Sequence, residues 1–267
     1  MTLDEIIDRL TAHIETAMSE KTGAPYIFGV SGGQGAGKST LCARLQDRLR
    51  EAGRSCVTLG LDDYYLSQTE RQDLAKRISP LCAVRGVPGT HDIALMRDTI
   101  DRLCTAPPDR QTMLRLFSKS HDNPLPHADW PPFTGRPEVI LIEGWCVGGR
   151  AAFLADAPPL AWEQANDPDM IWKDWTLQAA SPYEAIWDLC DDMLLLRHTD
   201  FDAVIDSRWQ QEQGNAAASG VWQFKSRDEV AAFCAHYQSW TEAIWRHLPA
   251  GVGFSYRRNG DRYVTVD

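Results

Sequence analysis

The chain has 267 residues, of which 43% are hydrophobic and 24% are charged, and its formal net charge is −10. This length allows one large α/β domain or two small ones, and we predict a single domain over residues 1–267. The negative charge disfavours nucleic-acid and anionic-membrane partners, since both attract a basic face, and no apolar run approaches the ~18 residues of a membrane span.

The N-terminal segment, residues 1–22, reads as an amphipathic helix. Thr2 and Glu5 form the Ser/Thr-x-x-Glu pattern of a capping box, and apolar residues then recur at helical spacing. The first residues, MTLDEIIDRL, are acidic, which differs from the basic-then-apolar order of a signal peptide. We therefore expect a cytoplasmic protein.

Residues 32–40 read GGQGAGKST and match the phosphate-binding pattern G-x-x-x-x-G-K-[ST]. The loop follows an apolar strand predicted over 26–30 and precedes a helix that runs from 41 to a stop at Gly53, which is the context this motif requires. Backbone N–H groups of such a loop hold phosphates, and the lysine reaches the terminal ones. We predict a nucleotide site, with ATP as ligand, formed by Gly32, Gly33, Gln34, Gly35, Ala36, Gly37, Lys38, Ser39 and Thr40.

Two carboxylates follow the second predicted strand, residues 56–61. Asp62 and Asp63 should therefore project above the carboxyl edge of the sheet, where ligands of open α/β sheets bind. A carboxylate there can accept the proton of a substrate hydroxyl. The alternative is a turn or helix-cap carboxylate, which the sequence favours for Asp63 more than for Asp62.

The next segments are predicted to be loop-rich. Residues 66–91 end in RGVPGTH, where Arg85 and His91 are candidates to hold a substrate carboxylate or hydroxyl. A helix is predicted from Asp92, which suits a helix N-cap as well as a substrate ligand. The proline-rich loop 106–137 contains Lys119 and Arg136, which are either cations for substrate or plain surface charges.

The run EVILIE predicts a third strand over 138–143. Glu143 ends this strand beside the phosphate loop, and we predict that Glu143 and Ser39 hold Mg²⁺, with an ordinary cap or surface acid as the alternative for Glu143. The seven cysteines show no C-x-x-C spacing, so reduced thiols are expected rather than a disulfide or metal framework.

The C-terminal third continues the alternation of strands and helices. A fourth strand is predicted over 193–196, helices over 205–213 and 226–244, a small-residue break over 214–220, and a hairpin about Asn259-Gly260. Arg208 can reach nucleotide phosphates from a lid region, residues 205–226, or lie on a solvated helix face. Strands alternating with helices predict an α/β fold with a parallel sheet covered on both faces.

Several segments, in order, resemble the D-glycerate 3-kinase group of P-loop kinases: LDDYYLS, RGVPGTHD, VILIEGWCVG, NDPDMIWKDW, SPYEAIW and VIDSRWQQEQ. This group is part of the wider phosphoribulokinase, uridine kinase and pantothenate kinase family. The resemblance implies a nucleoside-kinase-like P-loop NTPase fold, with three α/β/α layers and a helical lid. It also implies transfer of the γ-phosphate of ATP to a hydroxyl, for this group from D-glycerate to 3-phosphoglycerate.

The resemblance also implies roles for particular residues. Asp62 corresponds to the catalytic base, Tyr64 and Tyr65 to the aromatic positions beside it, Asp92 to the substrate-loop aspartate and Arg208 to the lid arginine. The predicted catalytic set is therefore Lys38, Asp62, Glu143 and Arg208. The predicted acceptor site comprises Asp62, Tyr64, Arg85, His91, Asp92 and Lys119.

Two alternatives remain open at this stage. The acceptor can be another small hydroxyl metabolite of the nucleoside, pantothenate or sugar type, or the chain can be a non-catalytic ATP-binding protein. A phosphorylated acceptor needs extra cations, and the stretch after Lys119 contains few. The sequence leaves a monomer and a homodimer equally open.

Overall fold

The computed structural model describes residues 1–21, 23–260 and 262–266, apart from the side chains at 218 and 219. Residue 22, the last of the predicted N-terminal segment, lies outside the described residues. The α-helices are α1 (Leu3–Glu20), α2 (Lys38–Glu51), α3 (Gln68–Arg77), α4 (Ile93–Thr105), α5 (Ala161–Asn166), α6 (Ile171–Gln178), α7 (Ser181–Trp187), α8 (Phe201–Ser219), α9 (Arg227–Ala235) and α10 (Gln238–His247). The strands are β1 (Tyr26–Gly32), β2 (Cys56–Gly60), β3 (Gln111–Met113), β4 (Phe117–Ser118), β5 (Asn123–Pro124), β6 (Pro132–Thr134), β7 (Val139–Gly144), β8 (Asp192–Arg197), β9 (Phe254–Asn259) and β10 (Arg262–Thr265).

A mostly parallel sheet forms the centre of the molecule, as the alternating pattern predicted. Its strand order is β10-β9-β8-β1-β7-β2, and only the β9–β10 pair is antiparallel. The predicted C-terminal hairpin is thus confirmed. Its first strand also pairs with β8 and so extends the central sheet, which the sequence did not show.

Helices cover both faces of this sheet. On β1, Phe28 and Val30 belong to one hydrophobic core, whereas Ile27 belongs to the other, as expected for a strand that alternates its side chains. The first core lies under α1 and α2. In α2, the side chains of Leu41, Leu45 and Leu49 are fully buried. Burial of each such leucine stabilises the fold by about 1.5–3 kcal/mol.

The predicted loop at 66–91 is wrong in part, because it contains the helix α3. This helix begins at a complete capping box in which the Ser67 side chain accepts from the Glu70 N–H, and Glu70 in turn accepts from the Ser67 N–H. The helix is strongly polar, and its buried residue is Arg71. Apolar periodicity therefore gave no signal, although the capping pattern was present in the sequence.

Two other boundaries differ from prediction. The expected break over 214–220 is wrong, since α8 continues through a run of alanines, which are strong helix formers, and ends at Gly220 in the left-handed conformation. The single helix expected over 226–244 is two helices, α9 and α10. The loop 106–137 contains two short antiparallel pairs, β3–β6 and β4–β5. None of the described helices has the length and apolar character needed to cross a bilayer.

Candidate active site

A cavity of about 680 Å³ opens where β1, β2 and β7 end. The parallel register places Glu143, at the end of β7, opposite Val30 of β1 and Gly60 of β2, so the residues that follow these strands meet at one edge. Among the residues that line the cavity are Gln34, Gly35, Gly37, Lys38, Ser39, Thr40, Asp62, Tyr65, Arg85, Lys119, Glu143, Trp145, Arg208, Gln211, Gln223, Tyr237, Arg258 and Tyr263.

The loop between β1 and α2 has the backbone of a phosphate cradle. Gly35 and Gly37 adopt φ angles of +74° and +91°, which side chains other than glycine rarely adopt. No side chain caps the N-terminus of α2 within the described residues, so its first N–H groups remain for an anion. Lys38 Nζ donates to the Gly33 carbonyl at 3.2 Å and folds back over the loop.

Ser39 and Glu143, which the sequence predicts to hold Mg²⁺, are in direct contact. The Ser39 hydroxyl donates to Glu143 Oε1 at 2.5 Å, so a hydroxyl and a carboxylate converge at the start of α2. These hard oxygen ligands fit Mg²⁺, which usually takes one or two protein oxygens and completes its shell with phosphate oxygens and water. Within the described part of the chain, no cluster of three His, Cys, Asp or Glu side chains offers a metal site by itself.

Asp62 is held between a cation and a hydroxyl. Lys119 Nζ donates to Asp62 Oδ2 at 2.6 Å, and the Tyr65 hydroxyl also hydrogen-bonds the carboxylate. Desolvation raises the pKa of Asp62, but the charge and hydrogen bond of Lys119, with the charge of Lys38, outweigh it and hold the pKa well below its usual value. Asp62 is therefore ionised at neutral pH and able to accept a proton.

The neighbouring carboxylate is used differently. Asp63 Oδ1 accepts a hydrogen bond from the Phe117 N–H at 3.2 Å, which ties the end of β2 to the proline-rich loop. Burial raises the pKa of Asp63 to about 6, partly offset by that hydrogen bond. Two adjacent carboxylates thus have pKa values shifted in opposite directions, a pattern associated with divided roles in acid–base sites.

One wall of the cavity is formed by Lys119 of the proline-rich loop together with Arg85 and Tyr65. Asp122, at the tip of that loop, pairs with both Arg85 and Arg71, and the Arg85 guanidinium lies over the rings of Tyr65 and Phe117 at 5.9 and 5.8 Å. Arg71 is only 1% exposed. The cations that the sequence of this loop lacks are therefore contributed by other segments.

Three predicted acceptor residues lie behind this wall rather than on it. Tyr64 is buried in the core, and His91 is 5% exposed, bonds the Tyr183 hydroxyl at 2.8 Å and stacks on Tyr65. Burial lowers the pKa of His91 to about 3, so the ring is neutral. Asp92 caps α4 through the Leu95 N–H at 3.0 Å. Direct contact of these residues with substrate stays a prediction.

Two cations noted in the sequence have defined partners. Arg208 lines the cavity and donates to Glu212 at 3.1 Å and to Gln223 at 3.2 Å, which joins α8 to the segment after Gly220. Its approach to phosphates stays a prediction. Arg136 donates to the Gly23 carbonyl at 3.0 Å, and both residues line a separate, smaller cavity.

Sequence reasoning missed several cavity residues. Trp145 follows Glu143 by two positions and donates to the Gly86 carbonyl at 2.9 Å, while the Tyr237 hydroxyl donates to the Arg85 carbonyl at 2.6 Å. Trp145 was open to inference from its place after a strand end. Tyr237 was not, because its helical pattern predicts a core residue.

Fold and cavity together resemble those of P-loop kinases. A phosphate cradle, a candidate metal pair and an ionised carboxylate face one space at the carboxyl ends of a parallel sheet. The predicted three-layer P-loop fold with a mostly parallel sheet is confirmed by solved structures. D-Glycerate 3-kinase from Cryptococcus neoformans superimposes with a TM-score of 0.74 at 20% identity, covering 98% of each chain.

Sequence relatives indicate which P-loop kinases the chain resembles. The chain is 27% identical over 246 residues to a Schizosaccharomyces pombe protein described as uncharacterized kinase mug58, covering 88% of this chain and 86% of that protein. It is 25% identical to the chloroplastic D-glycerate 3-kinase of Arabidopsis thaliana, covering 91% of this chain and 52% of that protein, so it spans about half of the plant protein's length. No protein-family model matches. The chain is thus similar to P-loop kinases of the D-glycerate 3-kinase type, and these relatives support a general kinase role.

Proposed function

We propose that the chain is an ATP- and Mg²⁺-dependent kinase that phosphorylates a hydroxyl of a small acidic acceptor, with D-glycerate as the acceptor and 3-phosphoglycerate as the product. The observation that carries this proposal is the position of Asp62. Its ionised carboxylate lines the same cavity as Lys38 and Ser39, and Lys119 of the proline-rich loop holds it.

Each part of phosphoryl transfer has a candidate residue. The loop N–H groups and Lys38 bind the phosphates, and Ser39 with Glu143 fits Mg²⁺, which when bound neutralises charge on the phosphate oxygens. Asp62 accepts the proton of the attacking hydroxyl, because it is ionised and faces the cavity. A non-catalytic nucleotide-binding protein has no need of this carboxylate.

The acceptor wall favours an anionic substrate. Arg85 and Lys119 line the cavity on the side of Asp62, and Arg85 is held by its aromatic neighbours and by Asp122. Such fixed cations recognise a carboxylate. The space of about 680 Å³ is within the usual range for a ligand site and accommodates a nucleotide with a small acid. D-Glycerate has both the carboxylate and the hydroxyl, and two of the similar proteins are D-glycerate 3-kinases.

The test is ADP release by the purified chain with ATP, Mg²⁺ and a panel of D-glycerate, L-glycerate, pantothenate, uridine and a free sugar. We expect turnover with D-glycerate, and its loss in Lys38→Ala. Turnover of another member of the panel contradicts the acceptor assignment alone. Lys38-dependent ATP binding without phosphorylation of any acceptor contradicts the kinase assignment.

A further inference from the structure

The C-terminal hairpin reaches past the edge of the sheet. β8 ends at Arg197, which pairs with Arg257 of β9, but β9 continues to Asn259 before the chain turns into β10. The tip of the hairpin therefore projects beyond the carboxyl ends of the parallel strands. That is the side of the sheet on which the phosphate loop lies.

Two side chains of the hairpin face the phosphate loop. Arg258 and Tyr263 are directly opposite in the antiparallel register, so they share one face of the hairpin, and both line the cavity. Arg258 Nη1 donates to the Gly35 carbonyl at 2.7 Å. The Tyr263 hydroxyl lies 3.3 Å from the position that a Cβ would take on Gly37.

The guanidinium of Arg258 is anchored but not saturated. Within the described residues, it donates to two carbonyl oxygens, those of Gly35 and Gly260, the latter from Nε at 3.0 Å. A guanidinium carries five N–H donors, so donors remain for an anion in the cavity. The charges of Arg258 and Lys38 both reach buried His198 and, after desolvation, help to lower its pKa to about 4. The two cations therefore act on the same region.

We propose that the β9–β10 hairpin is part of the nucleotide site and that Arg258 binds the phosphate chain of the nucleotide. This inference rests on the proposed function, because it takes residues 32–40 as the phosphate cradle. The bond to the Gly35 carbonyl fixes the guanidinium before ligand arrives, and charge-assisted bonds from a fixed arginine to phosphate are among the strongest in proteins. Arg208 then acts from the lid and Arg258 from the sheet edge.

The experiment measures calorimetric binding of ATP and of inorganic tripolyphosphate, each with Mg²⁺, to the wild type, Arg258→Gln, Arg258→Lys and Arg257→Gln. Arg257 is exposed and alternates with Arg258 along β9, so it is the matched control. We expect Arg258→Gln to weaken the binding of both ligands by the same factor, about tenfold or more. Arg258→Lys should recover part of that affinity. Arg257→Gln should bind both ligands as the wild type does.

Three results overturn the inference, and they differ in what else they affect. Unchanged affinity for both ligands in Arg258→Gln, or a loss confined to ATP, shows that Arg258 does not bind the phosphates and leaves the proposed function intact. A wild type that binds neither ligand contradicts the nucleotide site itself, and with it both proposals.

Discussion

Lys119 of the proline-rich loop lies 2.6 Å from the carboxylate of Asp62, which follows β2 in the central sheet. This pair joins the end of β2 to the proline-rich loop and keeps the proposed base ionised. It also means that an acceptor hydroxyl which reaches Asp62 does so beside a cation that has to share or release the carboxylate. The loop that the sequence shows as irregular therefore contacts the proposed proton acceptor through Lys119.

Replacement of Lys119 by Gln should change the pH dependence of the reaction. Without the charge and hydrogen bond of Lys119, desolvation raises the pKa of Asp62, and the acidic limb of kcat/KM moves to higher pH. A pH–rate profile with saturating ATP measures the shift. Lys76→Gln, a surface lysine in α3 paired with Asp73, is the control and should leave the limb in place. If the acidic limb stays at the same pH in Lys119→Gln, the Lys119–Asp62 pair does not set the pKa of the base.

The raised pKa of Asp63 predicts that the free energy of unfolding depends on pH. The folded chain keeps this proton up to pH about 6, whereas the unfolded carboxyl releases it near 3.8, so stability falls as pH rises between these values. Asp63→Asn removes this loss and retains an acceptor for the Phe117 N–H. In urea unfolding, the free energy of unfolding of Asp63→Asn minus that of the wild type should be about 1 kcal/mol larger at pH 7 than at pH 4. Partial exposure of Asp63 reduces the full effect to this size. Equal differences at the two pH values would contradict the raised pKa.

Asp122 should affect the acceptor and not the nucleotide. It pairs with Arg85 and with buried Arg71, so Asp122→Asn loosens the proposed carboxylate ligand. We expect the KM for the acceptor to rise about tenfold while the KM for ATP changes little, and the thermal midpoint to fall because buried Arg71 loses its charged partner. Asp129→Asn, an exposed position on the same loop, serves as the reference variant. A parallel rise in both KM values would indicate a general disturbance of the fold instead.

The phosphate loop should reject a side chain at Gly35. A Cβ there would lie 2.6 Å from Ser207 Cβ, at a φ of +74°, so Gly35→Ala should lower both the melting temperature and the affinity for ATP. Gly214→Ala is the contrasting change, because its Cβ meets open space within α8 and alanine favours a helix by about 0.5–1 kcal/mol. Thermal unfolding should show a lower melting temperature for Gly35→Ala and a higher one for Gly214→Ala. ATP titration should show lost affinity only for Gly35→Ala.

Local sequence patterns predicted the residues on the proposed nucleotide side of this cavity. The motif at 32–40 fixes a loop between strand and helix, and the ends of parallel strands meet at one edge, so Asp62 and Glu143 had to lie near Lys38. The helix α3 was missed because its polar face gives no periodic signal.

The acceptor half depends on long-range packing. The helix cap at Asp92 was open to inference from the sequence, but the burial of His91 depends on contacts with Tyr65 and Tyr183, which are distant from it in the chain. Arg258 reaches the phosphate loop through a strand pairing between β8 and β9, far apart in the chain. Neither relation is present in a local sequence pattern.

The most direct test of a kinase site centred on Asp62 is ³¹P NMR of the wild type and Asp62→Asn with ATP, Mg²⁺ and D-glycerate. The account predicts phosphoglycerate from the wild type, at least ~100-fold slower formation in the variant, and ATP affinity in the variant within about twofold of the wild type. Phosphoglycerate formed at the wild-type rate by Asp62→Asn would contradict the central claim.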